Sequence, residues 1–279
     1  MKYFYVISNL SKDYVLDVQD EVQSCLEKRG AVCRYMTDYE RMKNGRHTPG
    51  EYVPEDTQCI ITIGGGGSLI QAARDLAGRN IPMLGINRGH LGFLNQVDRT
   101  EDIDAAMDAL VNERFRLEHR MMLRGTVFHE GKPVFQDIAL NEIIATSAEH
   151  LRVLRYDLAV NDEYLNEYAA DGVMVATPTG STAYNLSAGG PVMAPAGRMM
   201  AVTPVCSHTL NARSIVISEE DRVKIGLLGK GLVTFDGDTS QKTGPGDYLI
   251  VERSHMETVM VKLKQISFMQ NLSNYLGNV

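Results

Sequence analysis

The chain has 279 residues, of which 44% are hydrophobic and 23% charged, so it holds enough apolar material for a globular protein of one large domain or two. Lys and Arg total 28 against 35 Asp and Glu, a formal net charge of −7, which argues against the basic surface typical of proteins that bind nucleic acid or anionic membranes. No apolar run reaches the roughly 20 residues of a spanning helix, and the first residues lack the apolar core of a signal peptide. We therefore expect a cytoplasmic protein with no nucleic-acid partner and no membrane partner.

The cysteines and histidines give no sign of a disulfide or a metal site. The four cysteines form no C-x-x-C pair and lie in apolar sequence, which is typical of reduced, buried thiols in the cytosol: Cys25, Cys33, Cys59 and Cys206. The seven histidines show no spacing typical of metal ligands, so we expect no structural metal.

The first 120 residues alternate strand and helix patterns. Four short apolar or β-branched runs predict strands at residues 3–7, 32–36, 59–63 and 82–86. Two helices are predicted between them, at residues 69–77 and around the three- and four-residue steps of Val15, Val18, Val22 and Leu26, behind a candidate N-cap at Ser11. Because the strands are apolar throughout rather than alternating, they favour a parallel sheet buried on both faces.

From about Met121 the pattern changes to short alternating runs separated by turn signals, for example His129 to Pro133 and Gly244 to Asp247. Strand-length segments lie between such turns, at residues 152–160, 222–228 and 248–252. This half of the chain therefore reads as antiparallel β structure. One helix is expected within it at residues 181–188, where hydroxyl side chains are typical of a helix start.

A run of glycines follows the third predicted strand. Residues 60–63 lead directly into Gly64-Gly65-Gly66-Gly67-Ser68, and a helix follows. Such a turn exposes backbone N–H groups at a helix N-terminus and is suited to hold a phosphate. The dinucleotide pattern G-x-G-x-x-G fails because Leu69 stands at its last glycine, and the Walker pattern is absent. A flexible turn with no ligand is the alternative interpretation.

Four segments in this order resemble the signatures of the NAD kinase family. Gly64, Gly65, Gly67 and Ser68 resemble its G-G-D-G-T/S motif, residues 85–94 its second motif, and residues 139–142, Ala-Leu-Asn-Glu, its Asn-Glu motif. Residues 171–191, from Asp-Gly through Thr-Pro-Thr-Gly-Ser-Thr-Ala-Tyr-Asn to Gly-Gly-Pro, resemble its long third signature, which is the most specific. Weaker agreement comes from residues 210–213 and 235–237, so the resemblance spans roughly residues 60 to 240.

The resemblance implies both a fold and an activity. The fold is α/β plus all-β: a Rossmann-like α/β domain with a parallel sheet that binds ATP or phosphate (residues 1–120), an antiparallel β-sandwich that binds NAD (121–255) and a tail (256–279) returning to the first domain. The activity is transfer of a phosphoryl group from ATP to the 2′-hydroxyl of the adenosine ribose of NAD, with Mg²⁺ accompanying ATP, in a homodimer or homotetramer.

The resemblance also assigns residues to the site. Asn141 and Glu142 form an amide and carboxylate pair that can bind both ribose hydroxyls, although such a pair could also simply face water. The implied role of Asp171 is at the nicotinamide end, with a plain Asp-Gly turn as its alternative. The full set of residues assigned to NAD or ATP is Gly64, Gly65, Gly67, Ser68, Asn87, Phe93, Asn141, Glu142, Arg152, Ala169, Asp171, Thr182, Ala183, Tyr184, Asn185, Ser187 and Asp236.

Within this set, adenine is expected to stack near Tyr184, with its polar edge bound by Thr182, Asn185 and Ser187. An N-cap at Ser181 or Thr182 is the alternative, and it is compatible with that role. Phe93 is expected near the adenine, with a place in the core as its alternative, and Arg152 is expected to reach the substrate from a neighbouring subunit.

Gly66 stands where the family carries its catalytic aspartate, and Asp238 stands where many relatives carry glutamine. Loss of a general base costs about 10²–10⁴ in rate, whereas phosphoryl transfer depends mostly on positioning and charge neutralisation. The resemblance therefore implies a kinase with an impaired or altered base, Glu142 or a water being candidates. An accidental or engineered change, and a non-catalytic NAD(P)-binding protein, remain open; a dehydrogenase is disfavoured because the Rossmann fingerprint is absent.

Overall fold

The computed structural model describes residues 1–9, 14–36, 43–88, 92–208, 211–263 and 267–277. The chain divides into two compact units. One consists of Met1–His119 together with Glu257–Val279 and is called here the α/β unit; the other is Arg120–Met256 and is called the β unit. The candidate N-cap Ser11 lies outside the described residues.

The α/β unit is built around a parallel sheet with the order β2-β1-β3-β4. Its strands are β1 (Tyr3–Ser8), β2 (Val32–Tyr35), β3 (Cys59–Ile63) and β4 (Met83–Ile86). Its α-helices are α1 (Val15–Glu27), α2 (Gly66–Asp75), α3 (Ile103–Val111) and α5 (Phe268–Gly277), with short 3-10 helices at Gly50–Tyr52 and Thr100–Asp102. The parallel sheet that the apolar runs predict is confirmed.

Apolar side chains on both faces hold this sheet in place. All five residues of β3 are buried, and the apolar face of α1 (Val15, Val18, Val22 and Leu26) packs with Phe4, Ile61 and Met107 in one core. Val261, near the end of the chain, belongs to the same core. Each fully buried aliphatic side chain of this kind contributes about 1.5–3 kcal/mol relative to exposure.

Two features of the α/β unit differ from the sequence prediction. Helix α2 begins at Gly66, three residues before the expected start at Leu69, because its first turn consists of residues without the apolar side chains that reveal a helical period. The second difference is that helices α3 and α5 are present although the sequence pattern did not predict them. No helix within the described ranges is long and apolar enough to span a membrane.

The β unit contains two antiparallel sheets. One has the strand order β12-β11-β10-β7-β14-β15; the other contains β16-β13-β8-β9, with β5 beside β16 and β6. The strands are β5 (Arg116–His129), β6 (Lys132–Ala139), β7 (Glu142–Ser147), β8 (Leu154–Val160), β9 (Glu163–Ala170), β10 (Gly172–Ala176), β11 (Met199–Val205), β12 (Ile215–Ser218), β13 (Val223–Leu227), β14 (Gly231–Phe235), β15 (Thr239–Thr243) and β16 (Tyr248–Lys262).

The two sheets of the β unit share one core. Leu123, Leu158 and Ile225 from one sheet pack with Val175 and Val233 from the other. This face-to-face arrangement is a β-sandwich, so the α/β plus antiparallel β fold class is confirmed. The single helix expected at residues 181–188 is wrong in detail: a 3-10 helix (Gly180–Thr182) and α4 (Tyr184–Ser187) are separated by Ala183, whose φ of −99° and ψ of −130° interrupt the helix.

An ion pair joins the tip of the β5–β6 hairpin to the turn before β16. His129 Nδ1 lies 2.7 Å from Asp247 Oδ1, and the N–H of Gly244 donates to Asp247 Oδ2 at 2.7 Å. The hydrogen bond and charge of Asp247 raise the pKa of His129 above its ordinary value of 6.5. The protonated imidazole is therefore favoured by folding.

We predict that part of the folding stability disappears as the pH rises through the raised pKa of His129. The contribution of the His129–Asp247 pair to the free energy of unfolding is complete below about pH 6.5, where the imidazole is charged even in the unfolded chain. It is lost above the folded-state pKa of His129. Thermal melts between about pH 6 and pH 9 should show a shallower pH dependence for His129→Gln than for the native chain. An unchanged slope in the variant would contradict this assignment.

Candidate functional site

The glycine turn of the α/β unit has two kinds of glycine. Gly64 has a φ of +151°, and a Cβ placed there would lie 2.5 Å from Ser68 Oγ, so a side chain is excluded by both conformation and space. Its N–H donates to the carbonyl of Ile86 at 2.9 Å, which ties the turn to β4. Gly65 then precedes α2 with extended backbone.

Gly66 and Gly67 are the first two residues of α2 and are unconstrained by their neighbours. A Cβ at either position meets nothing within 4 Å, and neither has a positive φ. The first N–H groups of a helix have no partner inside the helix and attract anions. The turn can therefore bind a phosphate, and position 66 has room for a side chain.

Asn87 lies beside this turn because the carboxyl ends of parallel strands share one edge of the sheet. It follows β4 directly, is buried, and its Oδ1 accepts a hydrogen bond from the hydroxyl of Tyr14 at 3.0 Å. Ligands of open α/β sheets bind at this edge. The structure thus brings the predicted site residues 64–68 and Asn87 to one edge of one sheet.

Phe93 is not part of a strand. Its ring lies 5.2 Å from that of Tyr275 and 6.2 Å from that of Phe268, both on α5. These are distances of ordinary aromatic packing. The ring is only partly buried, so it is neither a central core residue nor a free surface side chain.

In the β unit, the Asn-Glu pair is held by one carboxylate. Asp236 lies in the turn after β14, with a left-handed φ of 49°. It accepts hydrogen bonds from the N–H groups of Leu140 (2.6 Å), Asn141 (2.8 Å) and Glu142 (3.0 Å). Its own N–H donates to the carbonyl of Glu142 at 3.1 Å. Asp236, expected as an NAD contact, thus uses both carboxylate oxygens to position the backbone of the pair.

The side chains of the pair offer unused hydrogen-bonding atoms. Asn141 Oδ1 and Glu142 Oε2 are buried and have no hydrogen-bond partner among the described residues. Burial, together with the negative charge of Asp236, raises the pKa of Glu142 to about 8. Since buried polar atoms in native proteins are nearly always satisfied, this pair is the strongest indication in the β unit of a place for a polar ligand.

The long third motif, residues 171–191, is hydrogen bonded to the backbone around the Asn141–Glu142 pair. The hydroxyl of Thr177 donates to the carbonyl of Leu140 at 2.6 Å, and its N–H donates to the carbonyl of Asn141 at 2.8 Å. The N–H of Gly180 then donates to the Thr177 hydroxyl at 3.0 Å. A Cβ at Gly180 would overlap the backbone carbonyl of Asn141. The sequence pattern predicts no separate role for Thr177 or Gly180, and the close approach to Asn141 explains the glycine.

Asn185 has a structural role. It is completely buried. Its Oδ1 accepts from the hydroxyl of Thr203 at 2.7 Å, and its Nδ2 donates to the carbonyl of Pro191 at 3.0 Å. These hydrogen bonds hold the segment after Gly180 in place. They already occupy the Asn185 amide, which was expected to bind the polar edge of adenine.

Other predicted residues of this segment are accessible. Tyr184 is 46% exposed, and Ser187, one helical turn later, is exposed on the same side. Thr182 and Ala183 are partly buried beside them. This part of the motif therefore presents an aromatic face and a hydroxyl to solvent, as a stacked base would require.

Three further predicted residues lie on different elements of the β unit. Asp171 is exposed immediately before β10, with its N–H bonded to the carbonyl of Val205 at 3.0 Å. Ala169 lies on β9, where its carbonyl accepts from His208 at 2.8 Å. Arg152 is exposed in the loop before β8. Their roles in binding stay predictions.

We predict that Gly180→Ala destabilises the protein by about 1–3 kcal/mol, because the added methyl group must displace the backbone of Asn141. The matched control is Gly229→Ala, also in the β unit, where a Cβ meets nothing within 4 Å and φ is not positive. Chemical denaturation should show a lowered midpoint for the first variant and little change for the second. Equal midpoints would refute the close approach.

A second prediction concerns the buried carboxyl of Glu142. Because the folded chain retains this proton up to about pH 8 and the unfolded chain loses it near pH 4.5, the free energy of unfolding falls with rising pH between these values, by up to about 1.4 kcal/mol per pH unit. Glu142→Gln should therefore gain in melting temperature, relative to the native chain, from pH 4.5 to pH 8. The exposed Glu163→Gln should show no such gain; parallel behaviour of both variants would contradict the assignment.

Comparison with known proteins covers nearly the whole chain. Residues 5–115 match the ATP-NAD kinase N-terminal domain family and residues 140–263 match the ATP-NAD kinase C-terminal domain family. NAD kinases of Lachnospira eligens and Agathobacter rectalis are each 36% identical to this chain, over 98% and 100% of its length and 99% of theirs.

Solved structures share the fold. Yeast NADH kinase complexed with NADH superposes with a TM-score of 0.86 at 20% identity, covering 99% of this chain and 88% of the yeast chain. The NAD kinase of Archaeoglobus fulgidus in complex with ATP gives a TM-score of 0.78 at 22% identity, covering 99% and 98%. With two domain families matched in order and full-length relatives above one third identity, the chain belongs to the NAD kinase family.

Proposed function

We propose that this protein is an NAD kinase, which transfers the γ-phosphoryl group of ATP to the 2′-hydroxyl of the adenosine ribose of NAD and gives NADP. The observation that carries the proposal is the Asn141–Glu142 pair: two buried, unpartnered oxygen atoms on adjacent residues. They occur in a chain whose full-length relatives are NAD kinases.

A ribose supplies what this pair lacks. Its two neighbouring hydroxyls can donate to Asn141 Oδ1 and Glu142 Oε2. The protonated carboxyl of Glu142 can also donate a hydrogen bond to a ribose hydroxyl, which can accept one hydrogen bond while donating another. Asp236 keeps the two residues in register for this contact because it holds both of their backbone N–H groups. We assign the other predicted NAD contacts, Asp171 and the exposed face of Tyr184 and Ser187 among them, on the family resemblance.

The phosphates of ATP fit the glycine turn of the α/β unit. Gly65 to Gly67 present N–H groups at the start of α2, where the helix dipole favours an anion. The described residues contain no group of three His, Cys, Asp or Glu that could hold a metal ion. Independently of that observation, we assign magnesium to the Mg–ATP substrate on the family resemblance, where it would neutralise phosphate charge.

The remaining expectations from the resemblance belong to the same proposal. We assign ATP to residues 1–120 and NAD to residues 121–255, and we propose that the protein works in the cytoplasm as a homodimer or homotetramer. Arg152, exposed before β8, is the residue we propose to reach the substrate of a neighbouring subunit.

The proposal predicts that ATP, magnesium and NAD yield NADP, and that Gly66→Asp accelerates the reaction at pH 7 by about tenfold or more, because an ionised carboxylate there supplies a general base. A side chain can be attached there without a clash at its first atom, since a Cβ at Gly66 meets nothing within 4 Å. NADP can be measured with an NADP-specific dehydrogenase in excess.

Gly67→Asp is the matched control, since position 67 has the same open space and gains the same charge. It should not accelerate turnover. If the native chain and Gly66→Asp both form no NADP while still binding NAD in calorimetry, the kinase proposal fails in favour of a non-catalytic NAD-binding protein.

A further inference from the structure

Phosphorylation of a ribose hydroxyl requires a group that takes its proton, and Gly66 has no side chain to do so. The predicted NAD contacts of the β unit include three carboxyl groups, those of Glu142, Asp171 and Asp236, and Asp171 lies at the opposite end of the β7–β10 ladder from Glu142. Both oxygens of Asp236 accept backbone N–H groups, and Asp171 is exposed to solvent. Glu142 is the one among them with a buried oxygen that has no hydrogen-bond partner.

We propose that Glu142 is the catalytic base of this chain, an inference that rests on the proposed function. Glu142 Oε2 takes the proton of the adenosine 2′-hydroxyl of NAD. The 2′-oxygen forms a bond to the γ-phosphorus of ATP, and the bond from that phosphorus to the β–γ bridging oxygen breaks. The products are NADP, ADP and a protonated Glu142, which returns its proton to solvent after product release.

The surroundings of Glu142 suit this role. Asp236, in the turn after β14, is the charged group that acts on it. Across the ladder to β10, Glu142 pairs with the uncharged Ala176. Its backbone is held at both ends, by the N–H to Asp236 and by the carbonyl that accepts from Asp236. A buried base next to a fixed negative charge has a raised proton affinity and a defined position.

This environment sets the working pH of the reaction. The pKa of Glu142 is raised to about 8 by burial and by Asp236. At pH 7, one unit lower, only about a tenth of the molecules hold the ionised base. Between pH 6 and pH 8 the value of kcat/KM should rise by about tenfold per pH unit and then level off.

The first test is the pH profile of kcat/KM for the native chain, beside that of Gly66→Asp. We expect the acid limb of the native profile to end near pH 8 and that of Gly66→Asp to end at least about two units lower, because an ordinary aspartate is ionised there. An acid limb at the same pH in both proteins would overturn the proposal. This test needs no change at Glu142.

The second test removes the base in both backgrounds. Glu142→Gln preserves shape and can still hydrogen bond to the ribose, so calorimetry should show a Kd for NAD within a few-fold of the native value. In the native background kcat should fall by about 10²-fold or more, and in the Gly66→Asp background by less than about tenfold.

The outcomes separate the two proposals. An equal loss of kcat in both backgrounds, or no loss in the native background, means that Glu142 only binds substrate, and the inference is overturned while the kinase stands. Absence of NADP from the native chain and from Gly66→Asp overturns the proposed function itself. A larger loss in the native background supports both.

Discussion

The candidate site of the β unit depends on one carboxylate. Asp236 accepts three consecutive backbone N–H groups, those of residues 140–142, and hydrogen bonds to an ionised acceptor are about twice as strong as neutral ones. With this segment held, the carbonyl of Asn141 receives the N–H of Thr177 and excludes a side chain at Gly180. Three stretches that are far apart in sequence thereby share one rigid arrangement, and the side chains of Asn141 and Glu142 are left to meet a ligand.

The same carboxylate contributes, after burial, to the raised pKa of Glu142. Its negative charge adds to the effect of burial on the pKa of Glu142. Asp236 therefore accepts backbone N–H groups, whereas Glu142 retains its proton up to a higher pH than an ordinary glutamate. A carboxyl group whose pKa is raised by burial and by a neighbouring charge is typical of acid-base enzymes.

Local patterns predicted much of this fold. The apolar steps of α1 and the continuous apolar run of β3 identify both elements because each buries a face that the sequence displays. The predicted start of α2 was wrong because glycines have no side chain and so add nothing to the apolar periodicity by which a helix is recognised. The anchoring roles of Asp236 and Asn185 could not be predicted, since their partners, such as Leu140 and Thr203, are defined only by the tertiary fold.

The open space around Gly66 has an evolutionary consequence. Codons for glycine and aspartate differ by a single base, and at this position φ is not positive and a Cβ meets nothing within 4 Å. Gly64, two residues earlier, allows no such exchange because its φ is positive and Ser68 fills the adjoining volume. A Cβ at residue 66 is therefore tolerated by the local backbone, whereas a Cβ at residue 64 requires backbone strain and displacement of Ser68.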